Sequence, residues 1–272
     1  MKHAAVIGWP IHHSLSPIIH NYWLKKYNIS GSYEKIAVEP SELTSFLQHK
    51  ALKLAGFNVT IPFKEEIFAY ISEHYGIQNI TPLAQKVGAV NSVEVRDGQL
   101  YGDNSDVFGF WANIEDQVHD KSSALILGAG GASRAIITAL KMAEFKEIII
   151  VNRTLERAKK LAHEFNCQAS LFNEAPNLMA HSSLLVNCTS LGMIGHPPLN
   201  LDLSLLNPKA LVTDIVYTPL HTELLKQAKI QGNPTQTGIG MLLHQARPSF
   251  QSWFKKAVDV DDTLKQLILG KM

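Results

Sequence analysis

The stretch Leu125-Ile126-Leu127-Gly128-Ala129-Gly130-Gly131-Ala132-Ser133-Arg134-Ala135 is an apolar run that stops at glycines and restarts with helix-forming residues. Read in order, it is a buried strand, a tight turn and a helix N-terminus. At such an N-terminus, unpaired backbone N–H groups and the positive end of the helix dipole can hold a pyrophosphate. In the dinucleotide-binding fingerprint the first glycine makes the turn, the second lets the backbone approach the phosphates, and the third allows close helix–strand packing. Gly128 and Gly130 take the first two places, and Ser133, still small, stands in the third. Glycines also make ordinary turns, so the fingerprint needs its context.

That context comes about 20 residues further on, where Glu147-Ile148-Ile149-Ile150-Val151 is a second β-branched strand, ending in Asn152-Arg153-Thr154. An NAD site usually has a carboxylate at this strand end to bind the adenosine ribose. Arg153 stands here instead, and a guanidinium fork suits the extra 2′-phosphate of NADP. The ordinary alternative is that Thr154 merely caps the helix beginning near Leu155.

The 272 residues leave room for two domains and a sizeable core, with 46% apolar and 18% charged residues. A formal net charge of +1 offers no footprint for nucleic acid. No apolar run approaches the roughly 20 residues needed to span a bilayer, and the apolar start turns at Gly8-Trp9-Pro10, too early for a signal peptide. The protein is therefore expected in the cytoplasm, with a small molecule as partner and neither nucleic acid nor membrane. The only cysteines, Cys167 and Cys188, have no paired spacing, and the histidines include no metal-binding pair flanking a glutamate. No metal is expected.

Along the first half, strands are expected over 4–8, 33–38 and 54–59, with helices over 17–27, 41–48 and 63–72 between them. This alternation predicts a parallel α/β sheet. Segments 87–95 and 99–102, joined through Asp97-Gly98, read as a hairpin. After a helix over 106–117, six strands over 123–127, 148–151, 168–171, 183–187, 211–214 and 234–236 predict a doubly wound sheet. The helical tail from Ile239 onward is expected to complete the first domain. The domains are then 1–104 with 238–272, and 105–237.

Four polar clusters lie where such sheets place ligands, at strand ends. In the first, Ser14 and Ser16 precede Pro17 and can point at one carboxylate, although Ser16 also suits an ordinary N-cap. In the second, Asn58 and Thr60 could bond sugar-like hydroxyls. Lys64, there too, opens a helix whose dipole it opposes, which makes it a candidate to polarise a carbonyl and pass it a proton. The third joins Asn91 to Asp106, which beside Lys64 would form a proton-shuttling pair or, alone, would cap a helix. The fourth is Tyr217, with Gln245 far down the chain; such groups often only satisfy core hydrogen bonds.

The blocks GWPIHHSLSP with His20-Asn21, GFNVTIPFK, GAVNS, GDNSD, GAGGASRA, NRT, NCTSLGM, DIVYTP and GIGMLLHQA occur in this order over nearly the whole chain. Together they resemble the shikimate dehydrogenase family. The resemblance implies an N-terminal α/β substrate domain and a Rossmann-type NADP-binding domain. It implies NADPH-dependent, reversible reduction of 3-dehydroshikimate to shikimate in aromatic amino-acid biosynthesis, by a monomer or homodimer. Lys64 and Asp106 would be the catalytic pair; Ser14 and Ser16, with Tyr217, would bind the substrate carboxylate; Asn58, Thr60, Asn91, Asp106 and Gln245 would hold its hydroxyls. Gly128, Ala129, Gly130, Gly131, Ala132, Asn152, Arg153, Thr154, Thr189, Ile215, Gly238 and Met241 would be the cofactor contacts. Ser105 replaces a threonine usual before the catalytic aspartate, and Thr237 an aspartate common before the last block's glycine.

The nearest rival is a broader quinate/shikimate enzyme using NAD, against which the paired serines and Arg153 argue. A glutamyl-tRNA reductase has little support from a nearly neutral chain. A catalytically silent NADPH sensor is disfavoured by retention of both Lys64 and Asp106.

Overall fold

Ala4 to Gly8 form a continuous buried run in β1 (Lys2–Gly8), as expected of a strand covered on both faces. In the computed structural model, which describes all 272 residues, β1 pairs in parallel with β2 (Gly31–Ala37) and β3 (Gly56–Val59). The sheet continues antiparallel through β4 (Ser92–Arg96) and β5 (Gln99–Asp103), in the order β2-β1-β3-β4-β5. Asp97 and Gly98, at φ 50° and 70°, make the tight turn between the last two strands. One sheet face carries a core that includes Ile7, Phe46, Leu47, Phe57, Ile67 and Ile71. The chain divides into two units, and this sheet belongs to the first, Met1–Asp106 with Leu243–Lys271.

Around this sheet lie α1 (Ser16–Lys26), α2 (Leu43–Ser45), α3 (Lys64–His74) and α4 (Pro82–Val87). The expected helix over 41–48 is instead a run of changing pitch: 3₁₀ over Pro40–Glu42, α2, a π-turn over Phe46–Lys50 and 3₁₀ again over Ala51–Lys53. The wide turn keeps Leu43, Phe46, Leu47 and Ala51 all in the core. The expected strand over 87–95 begins only at Ser92, because residues 82–87 form α4. Thr81 caps that helix by accepting from Ala84 N at 3.2 Å, and Gly88 ends it at φ 71°. Its last apolar residue, Val87, runs on into Ala89-Val90, which is why the segment reads as one strand.

The second unit, Val107–Leu242, takes in α5 (Asp106–Ile114) from Val107 onward. It then alternates β6 (Ser123–Leu127), α6 (Gly131–Met142), β7 (Glu147–Asn152), α7 (Leu155–Phe165), β8 (Gln168–Leu171), α8 (Ala175–Met179), β9 (Leu184–Asn187), β10 (Leu211–Asp214), α9 (Glu223–Ile230) and β11 (Thr235–Gln236). All six strands are parallel, in the order β11-β10-β9-β6-β7-β8. This is the doubly wound arrangement. Its winding reverses between β6 and β9, so their carboxyl ends open the crevice in which such sheets bind ligands.

Helix α10 (Ile239–Phe254) starts in the second unit and continues in the first, and α11 (Asp262–Leu269) follows it. Trp253, from α10, donates its indole N–H to Val93 O at 2.9 Å, and Asp261 before α11 accepts from Tyr22 and Lys26 of α1. No helix is long and apolar enough to cross a membrane.

Candidate active site

In the first unit β3 delivers its chain to α3, whose first residue is Lys64. Glu65 and Glu66 in the same turn offset the cation's unfavourable place on the dipole. Lys64 Nζ lies 2.6 Å from Asp106 Oδ2. Asp106 Oδ1 accepts from Asn91 Nδ2 at 2.7 Å, so both carboxylate oxygens are held. Asn91 is fixed in turn, because Ser105 N and Oγ donate to its Oδ1 at 2.7 and 3.2 Å. Asn104 braces the same loop by accepting from Asp106 N and donating to Ala89 O. Asp106 thus opens α5 without spending its carboxylate on a helix cap.

Gln245, from α10, joins this group by accepting from Ser105 Oγ at 3.4 Å. Ser14 accepts from Ser16 N at 3.3 Å, which ties the two serines to one turn. Ser16 is not the N-cap that its place before Pro17 suggests: Leu15 takes that position with helical dihedrals, and Ser16 is buried in the first turn. Thr60 is half-buried just beyond β3. Tyr217 belongs to the second unit.

Asn58 faces into the fold. Its Nδ2 donates to Asn91 O at 3.2 Å and to Ser249 Oγ at 3.0 Å, while Tyr33 Oη donates to its Oδ1 at 2.8 Å. Both amide hydrogens are therefore already committed. Ser249 continues the chain of bonds to Ser92 Oγ at 2.8 Å. Beneath them His20 is fully buried and stacked on Tyr33 with centroids 4.0 Å apart. Burial lowers its pKa to about 3, outweighing an upward pull from Asn58. Sequence reasoning assigned no role to Tyr33, Ser249 or His20, because their partners lie far away in the chain.

In the second unit Gly128 turns the chain at φ 106°, and a Cβ there would come within 2.8 Å of Thr189 Cγ2. A Cβ on Gly130 would meet no protein atom, so the backbone before α6 faces open space. Ser133, in the third fingerprint place, does more than stay small: its Oγ donates to Gly128 O at 2.9 Å and accepts from Gly130 N at 3.2 Å. The turn is locked from inside, and the α6 N-terminus carries no acidic residue to repel an anion. A dinucleotide pyrophosphate fits this cradle.

At the end of β7, Asn152 Nδ2 donates to Thr154 O at 2.9 Å, and Arg153 is exposed. Thr154 occupies the N-cap position of α7 but makes no side-chain cap bond. Thr189, Ile215 and Met241 are half-buried. Gly238 is buried, and a Cβ there would come within 2.5 Å of Ile215 O.

Residues 6–93 match the family model of the shikimate dehydrogenase substrate binding domain, and residues 112–194 that of shikimate / quinate 5-dehydrogenase. The shikimate dehydrogenase (NADP(+)) of Rhodospirillum rubrum is 45% identical, over 98% of this chain and 97% of its own. The crystal structure of shikimate 5-dehydrogenase from Thermus thermophilus in complex with NADP(H) and shikimate is 34% identical, covering 100% of both chains with a TM-score of 0.88. The quinate dehydrogenase of Corynebacterium glutamicum in complex with NAD is similar at 26% identity, covering 99% of both chains with a TM-score of 0.89. The chain belongs to the shikimate dehydrogenase family.

Proposed function

We propose that this chain is an NADP-dependent shikimate dehydrogenase, interconverting shikimate and 3-dehydroshikimate, with Lys64 and Asp106 handling the proton. The carrying observation is the Lys64–Asp106 pair at 2.6 Å, with its carboxylate clamped by Asn91. The bound cofactor would supply the hydride chemistry at the carbinol carbon, as acceptor (NADP) in oxidation and as donor (NADPH) in reduction.

The hydroxyl proton released in oxidation needs an acceptor at the same carbon. Charged Lys64 has three hydrogens, one of which Asp106 accepts, leaving two for a substrate oxygen. In reduction Lys64 stabilises charge growing on the carbonyl oxygen and supplies the proton; in oxidation the pair takes it back. Ser14 and Ser16 bind the substrate carboxylate, while Thr60, Asn91 and Gln245 hold the ring hydroxyls. Asn58, whose amide hydrogens are already used, supports them by fixing Asn91. The first unit is thus the substrate and catalytic unit. In the second, residues 128–132 cradle the pyrophosphate, Asn152, Arg153 and Thr154 hold the adenosine end, and Thr189, Ile215, Gly238 and Met241 line the rest of the cofactor site. The enzyme works in the cytoplasm.

The test is reduced-cofactor formation by the purified protein on shikimate and on quinate, each with NADP and with NAD. Activity on shikimate with NADP, and weak activity in the other three pairings, is expected. Equal activity on quinate with NAD would move the chain to the broader branch.

A further inference from the structure

Strands β9 and β10 are register neighbours, and each ends in a buried polar residue, Asn187 opposite Asp214. Asp214 Oδ1 accepts from Asn187 Nδ2 at 3.0 Å and from Val216 N at 2.9 Å; Oδ2 accepts from Thr222 Oγ1 at 2.7 Å. Burial raises the pKa of this carboxyl, and the three donors oppose the rise. A carboxyl enclosed this way costs desolvation, which its three donors offset.

Its partner carries the arrangement toward the glycine turn. Asn187 Oδ1 accepts from both Thr189 N and Thr189 Oγ1, at 3.0 and 2.7 Å, and Asn187 Nδ2 also donates to Leu191 O at 3.3 Å. Leu191 N closes the loop on Thr189 Oγ1 at 3.1 Å. The Thr189 hydroxyl is thereby bonded inside the protein, and its methyl lies 2.8 Å from where a Cβ on Gly128 would sit. Cys188 N donates to Leu127 O, and Ile215 N to Asn187 O, so the ends of β6, β9 and β10 converge on the two side chains.

The geometry points to Asn187, oriented by Asp214, as a positioning residue for the cofactor: it sets the height of the 188–191 loop against Gly128 and so shapes the site without touching the ligand. This rests on the reading of residues 128–132, 189 and 215 as cofactor contacts. The register explains why a carboxylate is used. Asp214 accepts only, so it compels Asn187 to present its NH₂ to β10 and its oxygen to Thr189; the flipped amide would face oxygen with oxygen. A purely structural role would require only that both groups be satisfied.

The experiment measures NADPH affinity by nicotinamide fluorescence, together with thermal stability and shikimate KM, for the full-length protein. Asn187→Ala frees the Thr189 loop and is expected to weaken NADPH about tenfold or more, with shikimate KM changed less than about threefold. Asn233→Ala removes a comparable buried amide that bonds Asn207 O and Ala210 O before β10 begins. It is expected to lower stability and leave NADPH affinity unchanged. Arg153→Ala, in the cofactor site itself, checks the underlying reading. If Arg153→Ala weakens NADPH while Asn187→Ala and Asn233→Ala both lose only stability, the positioning role is overturned and the cofactor site stands. If Arg153→Ala leaves NADPH affinity untouched, the cofactor reading is what fails. If Asn187→Ala does not fold, Asn187→Ser, which keeps an oxygen near the loop, must show the same affinity loss at a smaller size.

Discussion

Lys64 Nζ and Asp106 Oδ2 face each other at 2.6 Å, and Asn91 bonds the other carboxylate oxygen at 2.7 Å. Asp106 therefore cannot rotate away from the lysine without breaking a second bond. Asn91→Ala releases that constraint and takes the acceptor from Ser105 as well. Its kcat for shikimate oxidation is expected to fall about 10- to 100-fold. Steady-state kinetics checks this, and an unchanged kcat would show that Asn91 does not act through Asp106.

Arg153 projects from the end of β7 beside an N-cap threonine that makes no cap bond, so the exposed guanidinium has no structural duty there to lose. Arg153→Ala is expected to raise the KM for NADP by about 10- to 100-fold, the size of a lost charge-assisted bond, and to leave that for NAD nearly unchanged. Equal losses for both would remove the 2′-phosphate role.

His20 sets an acid limit on stability. Its pKa is about 3 in the fold against 6.5 for a free histidine, so unfolding takes up a proton between these values. The unfolded chain binds more protons there, and stability therefore rises with pH across the window. The contribution is complete above about pH 6.5 and is lost as pH falls toward 3, by at most about 1.4 kcal/mol per pH unit. His20→Phe keeps a ring against Tyr33 and is expected to flatten that slope in denaturant titrations from pH 7 to pH 4. Parallel curves for the two proteins would contradict it.

Much of this architecture was legible because its signals are local. The run from Leu125 to Gly128 reads as a strand meeting a turn, and Asp97-Gly98 favours a hairpin. Lys64 stood out because it opposes a dipole. What was hidden depends on pairings across the chain: Tyr33 reaches Asn58, and Asn58 reaches Ser249, so the Asn58 amide is also bonded inside the fold. Ser16 looked like a cap because the Leu15 dihedrals are not written in its side chain. Asn187 and Asp214 stand at the ends of apolar strands, where an unexplained polar residue is a signal, yet only their register makes them a pair.

Gly56 is the position where α10 meets β3: a Cβ there would lie 2.0 Å from Trp253 Nε1 and 2.3 Å from Val93 O. Gly56→Ala must push the indole off its bond to Val93 O. A loss of about 3 kcal/mol is expected by chemical denaturation. A variant as stable as the parent would mean that α10 does not seal this sheet.

The most direct test of the account is the turnover of Lys64→Ala in NADP-linked oxidation of shikimate, measured beside its affinity for shikimate. The account predicts a fall in kcat of about 10²- to 10⁴-fold, with affinity reduced less than about tenfold. A variant retaining kcat within about tenfold of the parent would contradict the assignment of the proton to the Lys64–Asp106 pair.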